Sequence, residues 1–248
     1  MIGLLLLGLL IVAVLFPRWD STARTRMVKR WSSWLLSALN ITIKQFRSDV
    51  VYQQALGDID PQKRQQFLTV SNHVSWLDIF VINAVAPMRF VAKADIRDWP
   101  LVGPLCAGTG TIFIERNKRT ALREVIVIVK QALAKGDRVA VFPEGTTSDM
   151  QSILPFHSNF LQVAIDEKLT VLPLAMRFID PHTGGLCHAA LFVGDTNFVQ
   201  SCMQICGENK VVVELYFTDP IVPTEQSTRQ SLTLQSRQQI CDALGLRS

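Results

Sequence analysis

Apolar and polar positions along this chain of 248 residues change period several times. Residues 2–16 carry no charge and are interrupted only by Gly3 and Gly8, and Pro17 and Arg18 then close the run. As a helix it falls short of the ~20 residues that a bilayer crossing takes. It has no basic residue before it and no small-residue cleavage site after it, which favours a short membrane anchor or a half-inserted hairpin arm over a removable signal peptide. Further on, Leu35, Leu36, Leu39, Ile43 and Phe46 continue an apolar face at helical spacing. From about residue 65, short β-rich runs alternate with longer amphipathic stretches. The pattern predicts strands over 67–71, 88–92, 111–115, 138–142, 170–175, 189–193 and 211–217. Helices are predicted over 75–85, 119–135, 157–167 and 227–244. Such alternation implies an α/β fold with a partly parallel mixed sheet flanked by helices. An N-terminal membrane-associating helical segment, 1–47, would precede a catalytic domain, 48–248.

Charge sharpens the reading of the N-terminal part. Arg18, Arg24, Arg26, Lys29, Arg30, Lys44 and Arg47 face Asp20 alone over residues 18–47, whereas the whole chain carries +4. The remainder is therefore slightly acidic. A basic stretch beside an apolar anchor keeps that side in the cytoplasm and attracts anionic lipid headgroups. Trp19, Trp31 and Trp34 suit the membrane interface. The location expected is the cytoplasmic face of the inner membrane. The same pattern also fits an ordinary helix packed on its own domain with a solvated basic face. No nucleic-acid partner is expected, because basic and aromatic residues do not interleave outside this segment and no nucleic-acid motif is present. Five irregularly spaced cysteines argue against a disulfide framework and suit a reducing compartment. Cys187, Cys202 and Cys206, with His182 and His188, fit no zinc spacing, so no metal is expected.

Candidate chemistry concentrates in two turns. In Asn72-His73-Val74-Ser75-Trp76-Leu77-Asp78 a base and a carboxylate stand five residues apart. A histidine oriented by an aspartate can take a proton from an alcohol at neutral pH. In one straight helix the two side chains would point about 140° apart, so they meet only if His73 lies in the turn and Asp78 in the first helical turn. Ser75 as N-cap, with Asp78 at the third helical position, supplies that geometry. Taken alone, the pair serves a plain capping turn as well as it serves catalysis. Val139-Ala140-Val141-Phe142-Pro143-Glu144-Gly145-Thr146 reads as a second buried strand running into a turn with one acid. In open α/β sheets, ligands collect at the carboxyl ends of the strands, and both turns are predicted there, in one shared cleft.

Four blocks in order, Asn72 to Asp78, Gly110-Thr111-Ile112-Phe113-Ile114-Glu115-Arg116, Phe142-Pro143-Glu144-Gly145-Thr146 and Val171-Leu172-Pro173-Leu174, resemble those of the glycerolipid acyltransferases. The closest likeness is to the bacterial 1-acylglycerol-3-phosphate acyltransferases, and it covers roughly residues 65–220. Lys93, Trp99, Pro100 and Gly103 resemble the family's linking segment. The resemblance implies that His73 is the general base and Asp78 its orienting partner. The hydroxyl of a lysolipid acceptor then attacks an acyl thioester, acyl-CoA or acyl carrier protein, directly. No cofactor is implied. Gly110 and Arg116 would approach and clamp the anionic group of the acceptor, and Glu144, Gly145 and Thr146 would bind the acceptor, the glutamate through a hydroxyl or by orienting a basic group; the other readings are a surface arginine that ends a strand and a turn glutamate that only ties down its loop. A serine elbow of the Gly-x-Ser-x-Gly type is absent.

Two departures bear on the acceptor. Thr147 stands where enzymes that form phosphatidic acid often have arginine, and Pro155-Phe156-His157-Ser158-Asn159 replaces their Pro-Phe-Lys-x-Gly. These strings look more like the branch that acylates lyso-ornithine lipids. Lysophosphatidic acid is the default acceptor expected, and lyso-ornithine lipid its rival. A noncatalytic lipid-binding protein and a thioesterase on the same fold are the readings from other classes.

Overall fold

The computed structural model describes residues 2–47, 66–115 and 121–246. The chain opens with helix α1, Ile2–Leu10, continues through a π-helical turn, Ile11–Leu15, and a 3-10 turn, Phe16–Arg18. The Asp20 carboxylate accepts the Ala23 N–H at 2.7 Å and so caps α2, Ser21–Ala38. Trp31 of α2 donates its indole N–H to the Leu4 carbonyl at 3.0 Å, tying α1 down. Strands β1, Ile41–Arg47, and β2, Phe67–Ser71, follow, then α3, Asp78–Val85, β3, Arg89–Lys93, α4, Val102–Gly108, and β4, Ile112–Ile114. The rest comprises α5, Ala121–Ala134, β5, Val139–Val141, α6, Leu161–Asp166, β6, Thr170–Ile179, α7, Phe198–Gly207, β7, Val211–Phe217, and α8, Arg229–Leu244.

Among the described residues one sheet forms, in the order β1-β7-β6-β2-β5-β3-β4. Only β6 and β7 run antiparallel; every other pairing is parallel. The sheet is therefore mixed and largely parallel, as the alternation predicts. Every residue of β2 and β5 is buried, which explains their unbroken apolar character: both faces are covered. The period of two still sorts the side chains. Leu68, Val70, Val139 and Val141 enter the core beneath α5 and α6, while Phe67 and Ala140 enter the core that holds Leu35, Leu36, Val81 and Ile82. Because β2 and β5 are parallel and in register, with Val70 opposite Val141, the turns that leave them emerge side by side.

Several expected elements take another form. The apolar face read as helical through Ile43 and Phe46 ends at Ala38, where Asn40 adopts a left-handed φ of 54°. Asparagine tolerates that conformation, and the β-branched Ile41-Thr42-Ile43 then pairs parallel with β7. Residue 47, the boundary expected from charge, is thus the end of a strand of the main sheet. The stretch 189–193 is not a strand: a 3-10 turn, His188–Ala190, occupies its start, and the Phe192 N–H bonds the Val74 carbonyl at 3.0 Å. The helix expected over 157–167 divides into a 3-10 turn, Ser158–Phe160, and α6. Among the described residues no helix is long and apolar enough to cross a membrane. The uncharged run is broken by its π turn, with Leu5, Ile11 and Phe16 buried and Leu6, Leu7, Leu10 and Val14 exposed.

Candidate active site

Asn72 sets the exit of the chain from β2. Its buried amide donates to the Met176 carbonyl and accepts the Met176 N–H, both at 2.9 Å, so the side chain extends the pairing with β6 by one step. The same nitrogen reaches the Met150 sulfur at 3.4 Å, and Met150 holds a left-handed φ of 64° while it lies buried there. A non-glycine residue in that region stores strain that the surrounding contacts must hold.

His73 and Asp78 meet. Nδ1 of the ring lies 2.7 Å from Asp78 Oδ2, which also accepts the N–H groups of Val74 at 2.7 Å and Ser75 at 3.0 Å. In the tautomer that donates Nδ1–H to this oxygen, Nε2 keeps its lone pair. Asp78 is fully buried at the first position of α3, with all three of these contacts on Oδ2. The predicted capping pattern forms by its returning half alone. Asp78 bonds the Ser75 N–H, but the helix starts at Asp78 rather than Ser75, and among the described residues the Ser75 hydroxyl and Asp78 Oδ1 have no hydrogen-bond partner. The imidazole, about one-fifth exposed, stacks on Phe142 at 4.1 Å with an 11° tilt, and Phe142 in turn stacks on Phe90.

Of the two readings of Glu144, the geometry matches the turn glutamate that ties down its loop. It is buried, and its two oxygens accept backbone N–H groups of the chain itself, His73 at 2.6 Å and Leu154 at 2.9 Å. Burial raises its carboxyl above the ordinary glutamate range, and the two N–H groups offset this only in part. Between the ordinary and the raised value, the folded chain binds more protons than the unfolded one, so stability declines as pH rises through that interval. Denaturant unfolding at a series of pH values should show this decline in the native chain and a flatter course in Glu144→Gln. Parallel courses would contradict it.

Gly145, at a φ of 73°, turns the chain back, and Gly145 and Thr146 line a cavity of about 470 Å³ that opens onto His73. The Thr147 hydroxyl bonds the Phe192 carbonyl. Gly110 does not join them. It stands before β4, at the opposite end of the sheet, and its carbonyl accepts from Arg89 Nε at 2.7 Å while Arg89 also pairs with Asp137 at 2.9 Å. With a φ of 85° and only 3.0 Å between an added Cβ and Arg89 Nε, this glycine makes room for the arginine. The physical reason is the brevity of β4: one sequence block straddles the strand, with Gly110 before it and Arg116 after it. Arg116 lies outside the described residues.

The cavity also holds Trp31, which the sequence assigned to the membrane interface and which is buried here instead, beside aromatic residues such as Phe192 and Phe198 to which the sequence gave no role. Trp31, Trp76, Phe80, Trp99, Phe192 and Phe198 contribute aromatic side chains to its walls. Leu5, Gly8, Ile11, Val12 and Phe16 complete them, so part of the uncharged N-terminal run faces inward. Lys93 and Asp95 supply charge at the lining. Trp99 and Lys93 fall in the linking segment and were within reach of the sequence; Phe192 and Phe198 carried no signal. Gly103 of that segment is required by contact, since an added Cβ would lie 2.0 Å from the Arg97 carbonyl oxygen.

A family model described as Acyltransferase matches residues 52–177. The 1-acyl-sn-glycerol-3-phosphate acyltransferase of Neisseria meningitidis is 36% identical over 64% of this chain, and the match spans 58% of that protein's length. The lyso-ornithine lipid O-acyltransferase of Pseudomonas aeruginosa is 31% identical over 98% of this chain and 90% of that protein. The crystal structure of PlsC, the 1-acyl-sn-glycerophosphate (LPA) acyltransferase of Thermotoga maritima, shares the fold with a TM-score of 0.60, covering 90% of this chain and 77% of that one at 23% identity. These likenesses place the α/β fold in the class of acyl-transfer enzymes. The chain belongs to the acyltransferase family.

Proposed function

We propose that the protein transfers a fatty acyl chain from a thioester, acyl-CoA or acyl carrier protein, to the free hydroxyl of a lysolipid, with lysophosphatidic acid as acceptor. The observation that carries this reading is the His73–Asp78 pair, 2.7 Å apart, at the opening of an apolar cavity. His73 Nε2 takes the hydroxyl proton as the oxygen attacks the thioester carbonyl. The Gly145 N–H is spent on the Phe142 carbonyl at 3.0 Å, so the backbone N–H groups of Thr146 and Thr147, beside His73 in the cavity lining, are the natural donors to the oxyanion that forms. Collapse of the tetrahedral adduct breaks the C–S bond, and the proton held by His73 passes to the leaving thiolate. The products are an ester and a free thiol, and no resident cofactor or metal takes part. The exposed Leu6, Leu7, Leu10 and Val14, flanked by the basic residues of α2, rest in the cytoplasmic leaflet of the inner membrane, attracted to its anionic headgroups.

Lyso-ornithine lipid is the second reading, favoured by two observations. The hydroxyl of Thr147 is bonded to a carbonyl where fixed positive charge would suit a phosphate, and the relative matched over nearly the whole chain bears that name. The purified protein offered both lysolipids with one labelled thioester is expected to label phosphatidic acid. Labelled ornithine lipid alone would move the assignment to the second acceptor, and thiol release that neither lysolipid stimulates would indicate hydrolysis instead.

A further inference from the structure

Asp78 holds the ring of His73, but something else must hold its backbone. We propose that Glu144 and Arg237 form a brace that positions His73 from behind, an inference that rests on the reading of His73 as base. Both polar groups of the His73 peptide are taken. Its N–H donates to Glu144 Oε1 at 2.6 Å, and its carbonyl accepts the Ser148 N–H at 2.8 Å. The other oxygen of Glu144 accepts the Leu154 N–H at 2.9 Å. From the far side the guanidinium of Arg237, on α8, donates through Nη2 to the Ile153 carbonyl and through Nε to the Leu154 carbonyl at 3.2 Å. The path therefore runs from the C-terminal helix through the 153–154 peptide and the Glu144 carboxylate to the backbone of His73.

Burial makes the path effective. Glu144 and Ile153 are 5% and 1% exposed, so water cannot replace a lost acceptor. Gln in place of Glu144 keeps one accepting oxygen but turns an NH₂ group toward the remaining N–H, setting donor against donor. Arg237 touches neither cavity nor base, so any effect it has on turnover must pass through this peptide. The carboxylate is thereby a positioning group, committed to the chain rather than to the acceptor.

Rates of the full-length chain with labelled thioester and lysolipid, measured for Glu144→Gln, Arg237→Met and the pair combined, test the brace. Because displacing a base by about 1 Å can cost on the order of 10²-fold, Glu144→Gln is expected to lower kcat by about 10- to 100-fold with both KM values within about twofold. Arg237→Met should lower kcat by about 3- to 10-fold with KM unchanged, and the double variant should fall no further than Glu144→Gln, since coupled residues are not additive. Arg237→Lys, which can reach one carbonyl but not fork across two, should recover part of the loss. A raised acceptor KM with kcat retained in Glu144→Gln would overturn the brace and return the carboxylate to acceptor binding. Multiplicative losses in the double variant, or an unchanged kcat in Arg237→Met, would remove the arginine from it. Should Glu144→Gln not fold, the two arginine variants decide. A native chain inert toward every lysolipid would instead overturn the reading of His73 itself.

Discussion

His73→Ala should lower acyl transfer by about 10²- to 10⁴-fold, the range that a positioned general base supplies. The fold should survive. The backbone bonds of residue 73 to Glu144 and Ser148 do not involve the imidazole, and the lost ring leaves space beside Phe142 in a partly exposed site. Transfer of labelled acyl groups, followed alongside circular dichroism and vesicle binding, checks this. Substantial activity in a folded variant would refute the assignment of the base.

Asp78→Asn separates charge from geometry. Oδ2 carries all three hydrogen bonds of the carboxylate, and Oδ1 has none among the described residues. An asparagine can therefore place its oxygen in the Oδ2 position and its NH₂ group where no donor opposes it. The ring keeps its tautomer, but the imidazolium that forms as the hydroxyl is deprotonated loses its ion partner. A charge-assisted bond is worth roughly 1.5–3 kcal/mol, so kcat should fall roughly 10- to 150-fold while the unfolding transition moves little. Asp78→Ala, which strands the N–H groups of Val74 and Ser75, should lose both activity and stability. An Asp78→Asn variant with native turnover would show that the carboxylate is only a cap.

How much of this was legible in the sequence depended on how local the determinants are. Strands β2 and β7 match their expected bounds to the residue, because their apolar runs are buried on their own terms. The meeting of His73 with Asp78 was within reach because a turn of six residues decides it. The identity of β1 was not: Ile41 to Phe46 can be spaced along a helix or a strand, and only the distant β7 decides between them. Likewise 189–193 is apolar enough for a strand, yet its Phe192 N–H is claimed by Val74. Gly110 was misplaced because a sequence block shows neighbours along the chain and not which end of a short strand each occupies. For Glu144 the chemistry was visible and the partners were not, since His73 lies 71 residues away from it and Leu154 across a loop. Arg237 gave no signal at all, because its use exists only once α8 is docked.

The pairing of β1 with β7 also has a consequence for biogenesis. Ile41 finds Val211 across about 170 residues, so this edge of the sheet cannot close until nearly the whole chain has left the ribosome. Until then β1 has no ladder to join, and the uncharged segment ahead of it has emerged long before the core that it will help to wall. A chain synthesised in this order carries its first apolar residues without their final partners for most of the time that translation takes.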